Sequence, residues 1–320
     1  MKTRKLKTLQ GISSRISPYL FLSPSLILIL LFFLVPLVMV FILSFTNLDM
    51  TNFGILEWWN PKNWSLINYA RIFNNHFFPK ILLNTIMYTG LTLIFFNVGM
   101  GLIIALITTH IRRRAGFAFR AVWLLPRITP VVVYVMMWKA MAGPAPMGII
   151  NDYFLRPLGI GSGEYLLMTN PWVFVILVNG FIGASFGMIL LSSAIESIPK
   201  DYIIASKVDG GSTWQTIRYV ELPMIKWPLL FATTYQTLSL LTSFEQILLL
   251  TDGGPGLYQT EVWSLMAYHR AFATYYGNTQ WGYGAAWSVV LVIIGIVMAV
   301  IYMRVFKFGE LLQEPKIETL

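Results

Sequence analysis

The ionisable side chains that interrupt long apolar stretches are the first candidates for chemistry in this chain of 320 residues. Glu245 lies in one such stretch, and Arg127 and Lys139 lie in another. An ionisable group in an apolar environment usually faces a water-filled cavity or a partner. Carboxylate, amide and aromatic groups together can bind the hydroxyl groups of a polar solute. The candidates of these types are Glu245, Gln246, Tyr235, Gln236, Tyr134, Trp138 and Asn179.

These residues also have a simpler interpretation. Glu245 and Lys139 would pair, or extend towards water, if they lay near the ends of helices. Aromatic residues are also common at membrane surfaces, and the chain has 11 Trp, 15 Tyr and 22 Phe residues. A solute path and an interfacial position therefore both remain open for these side chains.

Residues suited to enzymatic chemistry are sparse. The chain has no Cys, and its three His residues (His76, His110 and His269) are scattered, which disfavours thiol catalysis, disulfides and metal centres. It also lacks the Gly-x-x-x-x-Gly-Lys-Ser/Thr loop that binds nucleotide phosphates. We therefore expect a protein that is not an enzyme and that binds no cofactor or metal of its own.

The composition excludes an ordinary soluble protein. Hydrophobic residues make up 56% of the chain and charged residues 12%, whereas soluble domains carry about 25% charged residues. So few charges cannot cover a surface that faces water. The same numbers exclude a disordered chain, which needs low hydrophobicity.

Six apolar stretches are long enough to cross a bilayer, which takes about 20 residues as a helix. They predict an all-α membrane protein with spans at 19–45, 82–108, 121–141, 171–193, 227–249 and 285–306. Small residues four positions apart, such as Gly101 and Ala105 or Gly183 and Gly187, predict close helix contacts rather than a solute path.

The distribution of Lys and Arg predicts the orientation. Of the 23 basic residues, 16 lie in the N-terminus, in residues 109–120, in residues 194–226 and in the chain from Arg304 onward, and five lie in the other loops. This bias places both termini in the cytoplasm, which requires an even number of spans. The net charge of +9 is then a mark of topology and does not indicate nucleic-acid binding.

These spans and loops predict four parts of the chain. They are a cytoplasmic N-terminus (1–18), a first span with an external loop (19–80), a core of five spans (81–306) and a cytoplasmic tail (307–320). The core includes a long cytoplasmic segment, residues 194–226, between the fourth and fifth spans.

The segment 194–226 has the pattern of two short helices. Pro199 is typical of a first helical position, and Gly210 is typical of the left-handed residue that ends a helix. Ser212 and Gln215 have the spacing of a capping box, which starts a second helix. The segment is predicted to form a helix, a glycine turn and another helix, either as interfacial helices or as a docking site for a cytoplasmic partner.

This segment resembles the cytoplasmic loop of permeases in binding-protein-dependent ABC importers. The family motif runs Glu-Ala-Ala, three residues, Gly, nine residues and Ile-x-Leu-Pro. Here Gly210 is followed by nine residues and then by Val-Glu-Leu-Pro at 220–223, whereas residues 204–206 read Ile-Ala-Ser and lack the Glu. The resemblance implies the type I importer permease fold. It also implies ATPase-coupling residues at Asp201, Ala205, Ser206, Asp209, Gly210, Gly211, Leu222 and Pro223.

Other stretches are similar to the sugar-transporting branch of this family. They are residues 18–24 and 43–46, 68–69, 84–85, 125–126, 130 and 138, and the loop 251–255 (Thr-Asp-Gly-Gly-Pro) followed by Thr260. The Thr-x-Gly-Gly-Pro loop resembles that of one of the two permease types that pair in sugar importers. It therefore implies a heterodimer with a permease of the other type.

The resemblance also implies partners and a mechanism. Two cytoplasmic ATPase subunits would bind ATP and Mg²⁺. An external binding protein would contact loops 46–80, 142–170 and 251–284 and deliver a saccharide. The spans of this subunit would lie in the lipid bilayer. Closure of the ATPases would switch the pore between inward-facing and outward-facing states. A glycerol phosphate or an acidic oligosaccharide is an alternative solute. An ion-coupled transporter is a weaker alternative, because Glu245 alone offers a carboxylate within the spans.

Overall fold

The structure is a computed structural model that describes residues 19, 21–144, 148–159, 166–272 and 279–306. Every regular element in these ranges is a helix, which confirms the predicted all-α class. The predicted N-terminus (1–18) and tail (307–320) lie outside the described residues. Parts of two predicted external loops, residues 145–147, 160–165 and 273–278, lie outside them too.

The longer helices are numbered here in chain order. The N-terminal half contains α1 Phe21–Ser44, α2 Ile67–Phe73, α3 Phe78–His110, α4 Arg113–Ile128 and α5 Val131–Met141. Then come α6 Pro171–Glu196, α7 Lys200–Val208, and α8, in which Thr213–Thr216, Ile217–Glu221 and Leu222–Met224 follow one another directly. The last are α9 Lys226–Thr242, α10 Glu245–Leu250, α11 Trp263–Phe272 and α12 Trp281–Val305.

Four of the described helices, α1, α3, α6 and α12, are long and apolar enough to cross a membrane. They correspond to the predicted spans 19–45, 82–108, 171–193 and 285–306. Helices α4 and α5 would form a fifth span if they act together, although they are bent by 98°. The described helices therefore establish a polytopic membrane protein, and the number six stays a prediction.

The predicted continuous helix over 121–141 is wrong. Thr129 and Pro130 both have extended backbones, with ψ of 135° and 137°, and they separate α4 from α5. Proline cannot donate the backbone N–H that would continue α4, and it disfavours a helical conformation in the residue before it. The apolar stretch is consequently two helices at a sharp angle.

The predicted continuous helix over 227–249 is also interrupted. Helix α9 ends at Thr242, and Ser243 is extended, with ψ of 121°, before α10 begins at Glu245. No proline or glycine marks this break in the sequence. The Ser243 hydroxyl donates to the Gln246 side chain at 2.9 Å, which supplies a local alternative to the helical hydrogen bond.

The described chain divides into two compact units. The first holds the described residues up to Phe73 together with Ala267–Val289, and the second holds Asn74–Met266 and the described residues from Val290 onward. In the first unit, the buried Asn68 amide donates to the carbonyl oxygens of Ser44 and Thr46, which fixes α2 at the end of α1. The predicted boundary between residues 80 and 81 concerns membrane topology and stays a prediction.

Helices α3 and α6 of the second unit touch through glycines. A Cβ atom added to Gly101 would lie 3.1 Å from the carbonyl oxygen of Ala184, and a Cβ atom added to Gly183 or Gly187 would collide with Asn97. Larger side chains at these positions would push the two helices apart. The predicted packing role of these small residues is confirmed.

Candidate functional site

The elbow, defined here as α7, α8 and the turn between them, has the predicted form of helix, turn and helix. Gly210 has φ of +78°, in the left-handed region that glycine adopts without strain. Its N–H donates to the Lys207 carbonyl at 3.1 Å, which closes α7. Pro199 differs from the prediction, because its ψ of 131° places it just before the helix, and Lys200 is the first helical residue.

The second helix of the elbow starts with the predicted capping box. The Ser212 hydroxyl accepts from the Gln215 N–H at 3.3 Å, and the Gln215 side chain accepts from the Ser212 N–H at 2.7 Å. The hydroxyls of Ser206 and Thr216 lie 2.9 Å apart and join α7 to α8. These bonds fix the angle between the two helices of the elbow.

The outer face of the elbow is rich in exposed apolar groups. Val208 is 81% exposed and Trp214 is 64% exposed. Tyr202, Ile204 and Tyr219 of the same two helices are exposed as well. Of the predicted coupling residues, Asp201, Ala205, Asp209, Gly210 and Pro223 are exposed, and Ser206, Gly211 and Leu222 are half-buried. Several exposed apolar side chains within one short segment favour a contact with another protein.

The inner face of the elbow rests on the ends of the long helices. A buried apolar cluster includes Ala105 of α3, Leu191 and Ile195 of α6, and Ile225. Ile203 of α7 and Leu222 of α8 pack against this cluster. Force on the elbow therefore reaches α3 and α6 directly.

A second group of polar side chains lies among α3, α6 and the break after α9. We call Tyr88, Asn179, Ser243 and Gln246 the polar cluster. The Asn179 amide donates to the hydroxyl of Tyr88 and also lies 3.4 Å from the Ser243 hydroxyl. Ser243 in turn donates to Gln246. Tyr88 and Asn179 are buried.

The structure brings some predicted solute-path residues to this cluster. Asn179 and Gln246 belong to it, and Tyr134 of α5 interacts with Gln246 and with Glu245. Glu245 is exposed in the first turn of α10.

Three other predicted solute-path residues lie apart from the polar cluster. Trp138 lies within 6.1 Å of Phe174, ring to ring, and Tyr235 stacks on Phe186 at 4.7 Å. The buried Gln236 donates to the Gly183 carbonyl at 3.0 Å. These contacts are with protein groups, and they give Gln236 a packing role between α9 and α6.

Both cations within the apolar stretches have protein partners. The Lys139 ammonium donates to the carbonyl oxygen of Leu249 at 3.1 Å, near the end of α10. The Arg127 guanidinium lies 3.5 Å from the Ser185 hydroxyl and 5.7 Å from the centre of the Phe186 ring. A cation at a helix C-terminus and a cation over an aromatic face are both stabilised without a solute.

Tyr88 and Ser243 were not predicted as site residues. Tyr88 lies four positions after Asn84 in α3, which places both on one face of the helix. The spacing from Asn84 could therefore have indicated that Tyr88 faces the same side of α3. Ser243 gave no comparable sign, because its position depends on the break between α9 and α10.

The loop after α10 is fixed to the start of α3. The Asn84 amide donates to the carbonyls of Tyr258 and Glu261, at 3.2 and 2.9 Å, and the Lys80 ammonium donates to the carbonyl of Leu257 at 2.8 Å. Among the described residues, no group of three or more His, Asp or Glu side chains is placed to hold a metal ion.

Comparisons with known proteins agree with this architecture. A family model described as "Binding-protein-dependent transport system inner membrane component" matches residues 97–308. The chain is 30% identical over 303 residues to a "Probable ABC transporter permease protein" of Pyrococcus horikoshii, with 92% of this chain and 97% of the relative covered. It is 26% identical over 291 residues to the trehalose/maltose transport system permease protein MalF of Thermococcus litoralis, with 91% and 93% covered.

A solved structure shares the fold. It is the crystal structure of a bacterial ABC transporter involved in the import of the acidic polysaccharide alginate. The TM-score is 0.76 at 22% sequence identity, with 93% of this chain and 98% of that chain covered.

Apolar spanning helices joined to an exposed elbow define a polytopic membrane protein of the permease class. The match over residues 97–308 is more specific: the chain belongs to the family of inner membrane components of binding-protein-dependent transport systems. It is therefore a multi-pass inner-membrane permease subunit of an ABC transporter.

Proposed function

We propose that this chain is one of the two permease subunits of an ATP-driven importer for a sugar or oligosaccharide. An external binding protein delivers the saccharide, and two ATPase subunits on the cytoplasmic side bind ATP and Mg²⁺. The chain itself binds no nucleotide and is not an enzyme. Both termini lie in the cytoplasm, as the excess of basic residues in the corresponding loops indicates.

The elbow carries this proposal. It combines exposed apolar side chains, a fixed angle between two helices and an inner face packed against α3 and α6. A rigid part with these contacts can dock into an ATPase subunit and pass its motion to the membrane helices. Closure of the ATPases moves the elbow, and the permease alternates between inward-facing and outward-facing states.

The solute path runs past the polar cluster. Exposed Glu245 and half-buried Gln246 offer carboxylate and amide groups to the hydroxyls of a saccharide, and the buried Tyr134 lies next to them. Trp138 and Tyr235 add aromatic faces, against which sugar rings pack. Asn179 and Gln236 complete the candidate residues, and their buried hydrogen bonds support the shape of the path.

A saccharide is the favoured solute for two reasons. The stretches similar to the sugar-transporting branch occur along most of the chain, and one relative is named for a trehalose/maltose transport system. An acidic oligosaccharide or a glycerol phosphate is less favoured, since Arg127 and Lys139 both have protein partners. A second permease subunit of the other type completes the pore.

The decisive experiment is uptake by the assembled importer in lipid vesicles. The chain is produced together with its partner permease and ATPases in vesicles whose lumen represents the cytoplasmic side and encloses MgATP. Uptake of radiolabelled maltose, trehalose and lactose into the lumen is measured with the binding protein outside. We expect uptake to require MgATP and the binding protein. Saccharide uptake that follows an ion gradient without ATP would overturn the proposal, and uptake of glycerol phosphate alone would replace the solute.

A further inference from the structure

A large cavity lies beneath the elbow, where the long helices end. Its volume is about 710 Å³, which is within the range of ligand sites. The last turn of α3, the first half of α4, the end of α6 and both helices of the elbow supply its walls. Because α3 and α6 are long enough to span a bilayer, their ends place this cavity at the boundary between membrane and water. Lipid headgroups occupy that boundary.

Four cationic side chains line the cavity. They are Arg113 and Arg120 of α4 and Lys200 and Lys207 of α7. Arg113, Lys200 and Lys207 are exposed, and none of them has an ion pair or a side-chain hydrogen bond among the described residues. Arg120 donates to Glu196 at 2.7 Å. The cavity therefore offers three unpaired cations, which favours an anionic ligand.

The two carboxylates of the cavity already contact other residues of its lining. Glu196 accepts from Arg120, and the buried Glu221 lies 3.1 Å from the His110 ring. These contacts leave the three unpaired cations of α4 and α7 available. Cationic side chains also outnumber the carboxylates in the lining, so a bound anion meets a net positive environment.

An exposed apolar ridge of α3 leads to the same cavity. Ile103 and Ile107 lie one helical turn apart, and Ile111 directly follows the last residue of α3. All three are exposed, and Ile111 is also part of the cavity lining. We call these three residues the isoleucine ridge. A ligand with an acyl chain and an anionic headgroup can therefore contact two adjoining surfaces, one apolar and one cationic.

We propose that this cavity binds the phosphate headgroup of an anionic phospholipid, and that an acyl chain of this lipid packs along the isoleucine ridge. Arg113 of α4 and the two lysines of α7 donate to the phosphate oxygens. Basic pockets between membrane helices are typical sites for such headgroups. The site goes beyond the proposed function, because it requires only that this end of the helices meets a bilayer.

The isoleucine ridge distinguishes a lipid from a soluble anion. Inorganic phosphate can contact the same cations, but it has no group that packs against Ile103 or Ile107. A phospholipid makes both kinds of contact and is concentrated in the plane of the membrane. Anionic lipids are present on the cytoplasmic surface, which is the side where the proposed function places the elbow. A phospholipid is therefore the favoured source of the phosphate.

Binding is measured by native mass spectrometry of the full-length chain in detergent, without partner subunits. Phosphatidylglycerol and phosphatidylcholine with the same acyl chains are added at increasing concentrations. We expect the chain to retain phosphatidylglycerol about tenfold more strongly, because phosphatidylcholine has no net charge and its choline group repels the cations of the cavity. Equal retention of the two lipids would overturn the inference.

The cations are tested as a pair. Arg113→Gln together with Lys207→Gln removes two of the three unpaired cations, and we expect the retention of phosphatidylglycerol to fall about tenfold. The matched control is Arg112→Gln together with Arg114→Gln. It removes the same charge from positions outside the cavity lining and should retain the lipid as the wild type does. An equal fall in both double variants would overturn the inference, because general surface charge would then attract the lipid.

A charge-preserving variant separates lost binding from misfolding. Arg113→Lys together with Lys207→Arg keeps both cations, and we expect it to retain phosphatidylglycerol. If this variant lost the lipid as completely as the Gln pair does, the charges would not explain the binding and the inference would fail.

Two further measurements identify the source of the phosphate. Ile107→Ala shortens the isoleucine ridge, and we expect the retention of phosphatidylglycerol to fall about threefold. Inorganic phosphate at the same concentration as the lipid should not displace phosphatidylglycerol. Unchanged retention by Ile107→Ala would overturn the placement of the acyl chain, and displacement by inorganic phosphate would assign the cavity to a soluble anion instead.

Discussion

The elbow and the polar cluster are both held by hydrogen bonds between polar side chains, but they are built over very different distances in the chain. In the elbow, Ser212 bonds to Gln215 three positions away, and Ser206 bonds to Thr216 ten positions away. In the polar cluster, Asn179 contacts Tyr88 across 91 positions and Ser243 across 64. The first network belongs to one short segment, whereas the second needs three separate parts of the fold to be in place.

This difference indicates different mechanical roles. The bonds of the elbow survive any displacement of the segment as a whole, so it can move as a rigid part. The bonds of the polar cluster change whenever α3, α6 and the break after α9 shift relative to one another. A rigid part suits the transmission of force, and a contact shared by several helices suits a response to it.

The largest effect is expected from the turn of the elbow. Gly210→Val places a β-branched residue at a φ of +78°, which costs roughly 1–3 kcal/mol or distorts the turn. We expect ATP-driven uptake to be abolished while the chain still inserts into the membrane. Gly210→Asn is the matched control, because Asn tolerates the left-handed region, and it should retain most of the uptake. Normal uptake by the Val variant would show that the elbow does not need a fixed turn.

The polar cluster should respond as a unit. Asn179→Ala removes a buried donor from the hydroxyls of Tyr88 and Ser243, and we expect uptake to fall about tenfold, in line with a loss of roughly 1–3 kcal/mol. Tyr88→Phe should fall similarly. The double variant should be little worse than either single one, because the same bond is removed. Additive effects in uptake rates would mean that the two side chains act independently.

Substitution of Glu245 tests whether the region around the polar cluster contacts the solute. Glu245→Gln keeps the shape and removes the charge, so we expect the KM for saccharide uptake to rise about fivefold, with little change in the maximal rate. Glu196→Gln changes an exposed carboxylate at the end of α6 and should leave the KM unaltered. An unchanged KM in Glu245→Gln would exclude Glu245 from the solute path.

The smallest effect is expected from the capping box. Ser212→Ala removes one bond at the start of α8, and such a loss costs about 1 kcal/mol. We expect the amide of Gln215 to exchange its hydrogen about fivefold faster, with the change confined to the first turn of α8. Ser197→Ala, which removes a hydroxyl bond to the nearby Ala194 carbonyl, serves as the control. A loss of protection throughout the elbow would show that its rigidity depends on this one cap.

The same difference in distance explains what the sequence could predict. The turn at Gly210 and the pair of Ser212 and Gln215 depend on residues a few positions apart, and their types alone indicate the geometry. The glycines between α3 and α6 were predictable too, because their spacing reports a close helix contact. Pro130 indicates the bend after α4. The length of the apolar stretch, which favours one continuous helix, outweighed that indication in the prediction.

The parts that were missed depend on contacts between distant segments. Tyr88 and Ser243 meet only when α3 and the break after α9 are folded, and a single sequence does not report that proximity. The partners of Lys139 and Arg127 were likewise beyond prediction, since one is a backbone carbonyl of α10 and the other a hydroxyl of α6.

The exposure of helix α1 determines how strictly the order of its residues is constrained. Within the part of the chain that the structure describes, no residue of its most apolar window is buried. Lipid tails accept Leu, Ile, Phe and Val in any order, so within this chain only the length and the total hydropathy of the window matter. A version in which the residues of 26–41 other than Pro36 are shuffled should therefore insert and fold as before. If assembly of the importer does require a particular order of residues in this window, that requirement must come from a contact outside this chain.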